Sequence, residues 1–228
     1  MAHKITAITA QKRHPQRVNV FLDGEFAFGL ARITAAWLRV GQELNDEEIA
    51  RLREADAREQ AYQRALRYVG YRPRTEAEIR RYLEKRDVAE NHIEAVLTRL
   101  RDLKMVDDIA FAHAWVEDRV LFHPRGRRAL RAEMRQKGLA EDVIDQVLET
   151  VDEAALAYQA ARKGARRYRH LAWRPFRQKM SAYLARRGFP YEVVREAVQR
   201  VWQETSPDFP PASLAGDIPD NEESPCMD

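Results

Sequence analysis

The sequence predicts a mainly α-helical protein made of three tandem three-helix repeats, helix-turn-helix-like, in an elongated, curved array, with a small N-terminal β-hairpin or meander. Three observations lead to this prediction. One third of the 228 residues are charged and only nine are glycine, a composition that favours helices. Three consecutive stretches of about 50 residues share one apolar spacing. Near the N-terminus an alternating pattern centres on Asp23-Gly24, a dipeptide suited to a tight hairpin turn.

The β region is predicted over residues 1–33. Residues 18–30, VNVFLDGEFAFGL, alternate around the Asp23-Gly24 turn, and the preceding KITAITAQK supplies a candidate third strand. Residues 34–57 are expected to form connecting helices. Within them Asn45 precedes three acidic residues, which is typical of a helix N-cap.

The three repeats are predicted at residues 58–104, 105–151 and 152–204. Each carries six apolar residues at the same spacing, and one of these positions recurs after 51 and then 50 residues. The residues at that position are Leu83, Met134 and Leu184. The turn between the second and third helix of each repeat should place one residue in left-handed backbone. Those turn residues are Asp87, Gly138 and Gly188. Small units in series offer long surfaces rather than one deep pocket.

Charge is divided unevenly along the chain. The 39 basic and 36 acidic residues leave a net charge of +3. Residues 205–228 hold five of the ten prolines, six acids and no base, a composition typical of a disordered acidic tail. The remaining chain has 39 bases against 30 acids, a net charge of +9. The tail is expected either to shield basic residues of the same chain or to act only as a solvated segment.

Several protein classes are excluded by what the sequence lacks. It has no apolar stretch that resembles a membrane span or a signal peptide, so a cytoplasmic protein that does not enter membranes is expected. The lone Cys226 excludes a disulfide framework and a zinc cluster with several thiolates. There is no phosphate-binding loop and no metal-ligand spacing of histidines, so we expect no metal, no cofactor and no enzymatic activity. We interpret the carboxylate pair Asp107-Asp108 as a helix N-terminus rather than a catalytic pair.

The second repeat contains the first candidate binding surface. Arg127, Arg131 and Arg135 are four residues apart, so they share one helix face. The aligned residues are Glu76, Arg80 and Glu84 in the first repeat and Arg177, Ser181 and Ala185 in the third. Because the fold accepts such different residues there, we expect the arginines to be dispensable for packing and available for binding. Arg125 and Arg128 are expected to extend them into one basic patch.

The third repeat contains the second candidate surface. Residues 154–191 contain no acid and ten bases, an excess that indicates an anionic partner, with a solvated charged face as the alternative. Arg162, Arg166 and Arg169 form a stripe on its first helix. The flanking candidates are Lys163, Arg167, Arg174 and Arg177.

Three aromatic residues lie among these bases. They are Tyr168, Trp173 and Phe176. Packing in the core of the small repeat is the favoured interpretation. Stacking on the bases of single-stranded nucleic acid is the alternative.

Two stretches, taken in order, carry a family resemblance. Residues 74–86 read RTEAEIRRYLEKR and residues 105–119 read MVDDIAFAHAWVEDR. The pattern continues with Gly126, Leu130, Met134 and Lys137-Gly138-Leu139. On these residues the chain resembles the RecX family of bacterial regulatory proteins, over about residues 58–204. Thr75 replaces the family's serine and keeps the cap, whereas Lys104 and Asp87 stand where glycine is expected, so those two turns are candidates to differ.

The resemblance implies a regulatory protein rather than an enzyme. It implies binding to the DNA filament of the recombinase RecA, with inhibition of its ATPase, strand-exchange and co-protease activities in DNA repair and the SOS response. The charge pattern leaves open a second interpretation, a sequence-independent protein that competes with RecA for single- or double-stranded DNA. In either case we expect a monomer.

Overall fold

An antiparallel sheet precedes the helices in the computed structural model, which describes residues 1–205. Its strands are β1 (Ala2–Ala10), β2 (Arg17–Leu22), β3 (Glu25–Ala31) and β4 (Glu43–Asn45), in the order β3-β2-β1-β4. The β2–β3 turn places Asp23 at φ +52° and Gly24 at φ +91°, positive values that a type I′ turn requires. The predicted hairpin and third strand are confirmed, and β4, which pairs with β1, adds a fourth strand.

Nine helices follow within residues 1–205. They are α1 (Asp46–Val69), α2 (Glu76–Glu84), α3 (Glu90–Asp102), α4 (Asp108–Phe122), α5 (Arg127–Lys137), α6 (Glu141–Glu149), α7 (Glu153–Tyr168), α8 (Trp173–Ala185) and α9 (Tyr191–Thr205). They form three successive triplets, so the prediction of a mainly helical chain with three three-helix units behind a small sheet is confirmed. The predicted acidic tail, residues 205–228, lies outside the described residues apart from Thr205, which ends α9.

One long helix, α1, begins inside the region where we expected connecting helices. The Asn45 side chain accepts a hydrogen bond from Glu48 N (2.9 Å), and the Glu48 side chain accepts one from Asn45 N (2.8 Å). This capping box starts the helix. No glycine or proline follows before Gly70, so α1 runs for 24 residues without a break at residue 57. Residues 34–42, which precede it and β4, form turns rather than a helix.

A buried ion pair joins the sheet to α1. Asp56 of α1 is only 4% exposed, and its Oδ2 lies 2.9 Å from Arg17 Nη2 of β2. The same carboxylate accepts a hydrogen bond from Ala31 N at 2.5 Å. These partners compensate the cost of burying a charge. The apolar face of the sheet closes over Ile49 of the same helix.

The turn between the second and third helix is the same in all three repeats. Its left-handed residues are Asp87 (φ +56°), Gly138 (φ +83°) and Gly188 (φ +87°). In each repeat the next amide donates to the carbonyl five residues earlier, as Val88 does to Leu83 at 3.3 Å, Leu139 to Met134 at 3.2 Å and Phe189 to Leu184 at 3.4 Å. Lys104 is also left-handed, at φ +52°. The turns at Asp87 and Lys104, the two candidates to differ, therefore keep the left-handed conformation without glycine.

The apolar pattern that defines the repeats is their core. Of the 18 aligned residues, 17 are buried, and the exception, Val88, is partly buried against the first repeat. The six residues beginning at Ile79, Leu130 and Met180 even share one order of buried and exposed positions. Residues aligned by sequence in the second helices therefore occupy equivalent places in the three repeats.

The chain forms two compact units. The first comprises Met1–Glu117 and Arg131–Thr150, and the second comprises Asp118–Leu130 and the described residues from Val151 onward. Within the first unit, Thr75 Oγ1 donates to Lys137 O at 2.8 Å. Within the second, Gly126 N donates to Arg187 O at 2.9 Å. Thr75 aligns with Gly126 and Lys137 with Arg187, so one contact between neighbouring repeats occurs in both units.

Candidate functional site

Two of the three arginines expected to form a stripe in the second repeat, Arg131 and Arg135, form ion pairs with acids of the same repeat. On α5, Arg131 Nη2 lies 2.5 Å from Asp145 Oδ1 and Nη1 lies 3.8 Å from Glu141 Oε2. Arg135 Nη2 donates to Glu141 Oε2 at 3.0 Å. The hydrogen bond from Arg135 lowers the pKa of the Glu141 carboxyl below its usual value. These side chains are exposed in part, but their charges are already balanced by α6.

The other arginines of the expected patch also contact their own chain. Arg127 Nη2 donates to Val151 O at 2.6 Å, and Arg127 N donates to Glu153 Oε1 at 2.8 Å. Arg128 Nη2 approaches Ala185 O at 3.4 Å. Arg125 is exposed in the segment before α5. Arg131 and Arg135 belong to the first compact unit, whereas the other ten candidate residues belong to the second.

The first repeat holds the same arrangement of charges. Arg80 of α2 forms ion pairs with Glu90 and Glu94 of α3. We call these two sets the closed charge clusters: Arg80, Glu90 and Glu94 in the first repeat, and Arg131, Glu141 and Asp145 in the second. Their members align position by position, 51 residues apart.

These clusters add a contact that the sequence analysis did not predict. The stripe is predicted to be dispensable for packing, and Arg131 also forms ion pairs between the second helix of its repeat and the third. The missed pattern was the pair of acids four residues apart on α3 and again on α6, aligned with each other and absent from the third repeat.

The second candidate surface lies wholly in the third repeat. We call it the third-repeat basic face. Its members are Arg162, Lys163, Arg166, Arg167 and Arg169 from α7 and the loop after it, and Arg174 and Arg177 from α8. All seven are exposed. The predicted stripe and its flanking bases are therefore brought together in one compact unit.

Helix α7 presents this face because its other side is made of small apolar residues. Asp152 caps the helix, its Oδ1 accepting from Ala155 N at 3.0 Å. The residues that α7 buries are Leu156, Ala157, Ala160, Ala161, Gly164 and Ala165. Small side chains allow close approach of the neighbouring helices, and an added Cβ at Gly164 would lie 2.9 Å from Tyr183 Cε1. The bulky basic residues thus point away from the packed side.

The seven bases of the third-repeat basic face form no ion pairs with acids of residues 1–205, although Glu204 lies near enough to interact with the charge of Arg162. Among residues 1–205, no carboxylate lies within 4.0 Å of the side-chain nitrogens of its seven members. Lys163 Nζ donates to a carbonyl, Leu121 O, at 3.0 Å. The guanidinium groups of Arg162 and Arg177 each lie 5.9 Å from the ring centroid of a neighbouring aromatic residue, Tyr158 and Trp173. Unlike the closed charge clusters, this face remains electropositive.

The aromatic residues among these bases serve mainly to pack the repeat. Phe176 is fully buried, and its ring centroid lies 4.9 Å from that of Trp202. Trp173 packs at 5.4 Å against the same Trp202. Phe176 is therefore a core residue, as the favoured interpretation held, while Trp173 and Tyr168 are partly buried.

The two carboxylates Asp107 and Asp108 satisfy the amides of two different helices. Asp107 Oδ1 accepts from Ala110 N at 2.9 Å and caps α4. Asp108 Oδ1 accepts from Glu76 N at 3.0 Å, at the start of α2. Partial burial raises the pKa of the Asp108 carboxyl above its usual value. The pair thus stabilises helix N-termini, and one of its members does so across repeats.

Among residues 1–205, no group of three or more histidine, cysteine, aspartate or glutamate side chains is arranged to hold a metal ion. None of the helices in that range is both long and apolar enough to cross a membrane.

Comparison with known protein families gives four matches in chain order. Residues 3–45 match the regulatory protein RecX N-terminal domain. Residues 61–100, 107–148 and 152–198 match the first, second and third three-helix domains of RecX. Together they extend over both compact units.

Individual relatives agree with these matches. The chain is 36% identical over 203 residues to the regulatory protein RecX of Limosilactobacillus reuteri, covering 86% of this chain and 76% of the relative. It is 31% identical to that of Bacillus pumilus, covering 87% and 77%. A crystal structure of regulatory protein RecX superposes with a TM-score of 0.71 at 35% identity, covering 86% of this chain and 99% of that one. RecX from Lactobacillus salivarius gives a TM-score of 0.59 at 25% identity, covering 64% and 97%.

The repeats, the turns and the charge clusters described above thus lie in a chain that matches RecX domains from residue 3 to residue 198. The protein belongs to the RecX family of regulatory proteins.

Proposed function

We propose that this protein binds the RecA–DNA filament and modulates RecA, mainly by inhibiting its recombinase, ATPase and co-protease activities in DNA repair and the SOS response. The observation that carries this proposal is the ordered match of all four RecX domains over residues 3–198. The relatives are named regulatory proteins, which accords with a role exerted by binding. The protein is proposed to act in the cytoplasm as a monomer.

The third-repeat basic face supports an anionic partner. Arg162, Arg166 and Arg169 repel one another by a few tenths of a kcal/mol per pair on an isolated helix. DNA phosphates or an acidic surface of RecA would remove that repulsion. If the seven bases of this face each met a phosphate, affinity would fall by about 10³ to 10⁵ between 50 and 200 mM salt. Occupation of the filament by this face would then hinder access of DNA strands to RecA.

A DNA-dependent RecA ATPase assay tests the proposal. Addition of the protein at substoichiometric to equimolar ratios should lower the turnover of ATP on single-stranded DNA. The variant Arg162→Glu/Arg166→Glu/Arg169→Glu should lose most of this effect. The matched control, Arg51→Glu/Arg58→Glu/Arg67→Glu, reverses three exposed charges on α1 and should keep it. Unchanged ATPase turnover with the unmodified protein would refute the proposal.

A second candidate function is competition with RecA for DNA by sequence-independent binding. The same exposed basic face favours it, because unbalanced charge attracts any polyanion. Binding to the RecA filament and to bare strand, each measured across a salt series, separates the two functions. A competitor prefers bare DNA, whereas a filament regulator binds the assembled filament more tightly.

A further inference from the structure

The third repeat lacks the closed charge cluster that the first two repeats hold. The residues at the three cluster positions are Ser181, Tyr191 and Arg195, each 50 residues after its counterpart in the second repeat. The turn hydrogen bonds and the order of buried positions are shared by the repeats, so these side chains occupy the same places on the second and third helices. Formal charge at the three positions changes from −1 in the first two repeats to +1 in the third.

Two of the three replaced positions are exposed to solvent, and Ser181 is partly buried. Tyr191 is 73% exposed, which is unusual for so large an aromatic side chain. Arg195 is exposed, and no carboxylate of residues 1–205 lies within 4.0 Å of its guanidinium. Glu192 precedes Arg195 by three residues and lies about 60° from it round α9, whereas Glu196 lies about 100° away. Neither acid comes within 4.0 Å of the Arg195 guanidinium.

Helix α8 extends this side with more positive charge. Arg174, Arg177 and Ser181 are spaced i, i+3 and i+7, so they lie along one face of the helix. In the first repeat the position of Arg177 is held by Glu76, which forms an ion pair with Arg101. We call Arg174, Arg177, Ser181, Tyr191 and Arg195 the α8–α9 face. At four of these five positions, all but that of Arg174, the first repeat instead carries charges that are paired within the chain.

We propose that the α8–α9 face is a binding site for single-stranded nucleic acid. Guanidinium groups bind phosphate oxygens with high charge complementarity, and an exposed tyrosine ring provides a platform for an unstacked base. A duplex keeps its bases stacked on one another, so only a single strand uses both features. This inference deepens the proposed function by assigning single-stranded nucleic acid as the partner of one surface. It rests on the proposed function only for the place where the protein would meet such a strand, the RecA–DNA filament.

The first experiment lowers the positive charge of the α8–α9 face by restoring, in the third repeat, the closed charge cluster found in the other two repeats. The variant Ser181→Arg/Tyr191→Glu/Arg195→Glu reproduces an arrangement that the fold holds twice, so it should remain folded with an unchanged melting curve. Binding of full-length protein to a fluorescent 20-nucleotide oligo(dT) is measured by anisotropy at several salt concentrations. We expect about a tenfold to hundredfold weaker binding, and a slope of log affinity against log salt lower by about one.

A matched control separates this site from overall charge. The triple variant lowers net charge by two, and so does Lys179→Ala/Arg186→Ala. Both residues are exposed: Lys179 lies on the other side of α8, and Arg186 directly follows the end of that helix. This control should bind within about threefold of the unmodified protein. Equal losses in both variants, or no loss in the triple variant, would overturn the proposal and leave an acidic protein surface as the partner of this face.

A second experiment tests whether the α8–α9 face binds a base of a single strand and not only phosphates. Tyr191→Ala should weaken binding to oligo(dT) by about fivefold to a hundredfold, the effect of losing one stacked base. It should not change binding to a strand of the same length built from abasic sugar phosphates, or to a 20-base-pair duplex. Equal effects on all three ligands, or no effect on oligo(dT), would refute base stacking at Tyr191.

These experiments contain no RecA, so their failure is distinguishable from failure of the proposed function. A protein that inhibits RecA ATPase but binds oligo(dT) equally well with and without the restored cluster would retain the proposed function and lose this inference. A protein that loses oligo(dT) binding in the restored-cluster variant but never alters ATP turnover by RecA would retain this inference and lose the proposed function.

Discussion

Arg131 shows that one arginine can look dispensable by alignment and still join two helices. Its guanidinium contacts Asp145 and Glu141 on the next helix, and Arg80 makes the equivalent contacts in the first repeat. The third repeat has lost both acids and the arginine together. Loss of the whole set leaves no unpaired charge, so the fold tolerates it, whereas loss of one member leaves its partners without compensation.

The contribution of this cluster can be measured by a double-mutant cycle. We expect Arg131→Ala and Asp145→Ala to couple by about 0.2–1 kcal/mol, because the pair is partly exposed and screened by solvent. Urea denaturation of the two single variants and the double variant gives the coupling. Arg131→Ala with Asp142→Ala serves as the control cycle and should show no coupling. The charge reversal Arg131→Glu should destabilise the protein more than Arg131→Ala, because it places a third carboxylate beside Glu141 and Asp145.

Asp108 provides a second prediction, which concerns pH. Burial raises its pKa in the fold above the ordinary value of 3.8, so the folded state binds the proton more tightly than the unfolded state. The stabilisation from this proton is complete below the ordinary pKa and is lost as pH rises through the raised pKa. Asp108→Asn keeps an oxygen to accept from Glu76 N and removes the charge. We therefore expect its stability relative to the unmodified protein to increase from pH 3.5 to pH 7.

Denaturant midpoints at these two pH values check this prediction. Asp108→Ala, which removes the acceptor, should be less stable than Asp108→Asn at both. An Asp108→Asn variant that loses relative stability as pH rises would show that the Asp108 carboxylate is the favoured form in the fold.

At the scale of the helix and turn, left-handed residues shape the turns that connect successive helices. Two turns use glycine, and two others place Asp87 and Lys104 in the same backbone region. A left-handed conformation costs a non-glycine residue roughly 1–2 kcal/mol. Gly138 has a further constraint, because an added Cβ would lie 2.4 Å from the Cβ of Ala77. The turns thus keep the same geometry, which destabilises the fold more where the left-handed residue is not glycine.

Two substitutions in these turns should have opposite effects. Lys104→Gly is expected to raise the free energy of unfolding by about 0.5–1 kcal/mol, since relief of the left-handed strain exceeds the added entropy of the unfolded chain. Gly138→Ala is expected to lower it by about 2–4 kcal/mol, through backbone strain and the contact with Ala77. Chemical denaturation of both variants gives the signs. A neutral Gly138→Ala would contradict the close approach of the two repeats at that point.

At the scale of the whole molecule, charge is segregated along the chain. The six acids of the C-terminal 24 residues bring the net charge from +9 down to +3. The last described helix ends beside the third-repeat basic face, because Tyr158 Oη donates to Glu204 Oε2 at 2.7 Å. Arg162 follows Tyr158 by one turn of α7. Acidic residues after position 205 are therefore attached close to the most basic surface of the second unit.

Removal of residues 206–228 should strengthen binding to DNA. Attachment beside the basic face gives the six acids a high effective concentration there, so they compete with phosphates. We expect about a threefold to thirtyfold gain in affinity for oligo(dT) at low salt, which disappears as screening by salt increases. A full-length chain with the six acids replaced by their amides should match the truncated one. Equal affinity of all three proteins would show that the acids act only as a solvated segment.

The sequence alone was enough to predict the local and periodic features. Asp23-Gly24, the caps at Asn45 and Thr75, and the turn at Gly138 depend on backbone preferences of a few neighbouring residues, and the repeats follow from apolar spacing. The fourth strand was missed because its three residues, Glu43–Asn45, are defined by pairing with a strand more than 30 residues away. The role of Arg131 was missed for the same reason: an ion pair depends on which helix lies opposite.

The candidate binding residues also differ in how far the sequence could predict them. Counting charges located the excess of bases in the third repeat, because net charge is a sum that needs no coordinates. Only the tertiary structure showed that Arg131 and Arg135 are balanced by acids of α6, while the arginines of α7 and α8 have no carboxylate of residues 1–205 within 4.0 Å of their guanidinium groups. Coulomb interactions fall with distance through space, not along the chain, so the packing of the helices determines which charges are left for a partner.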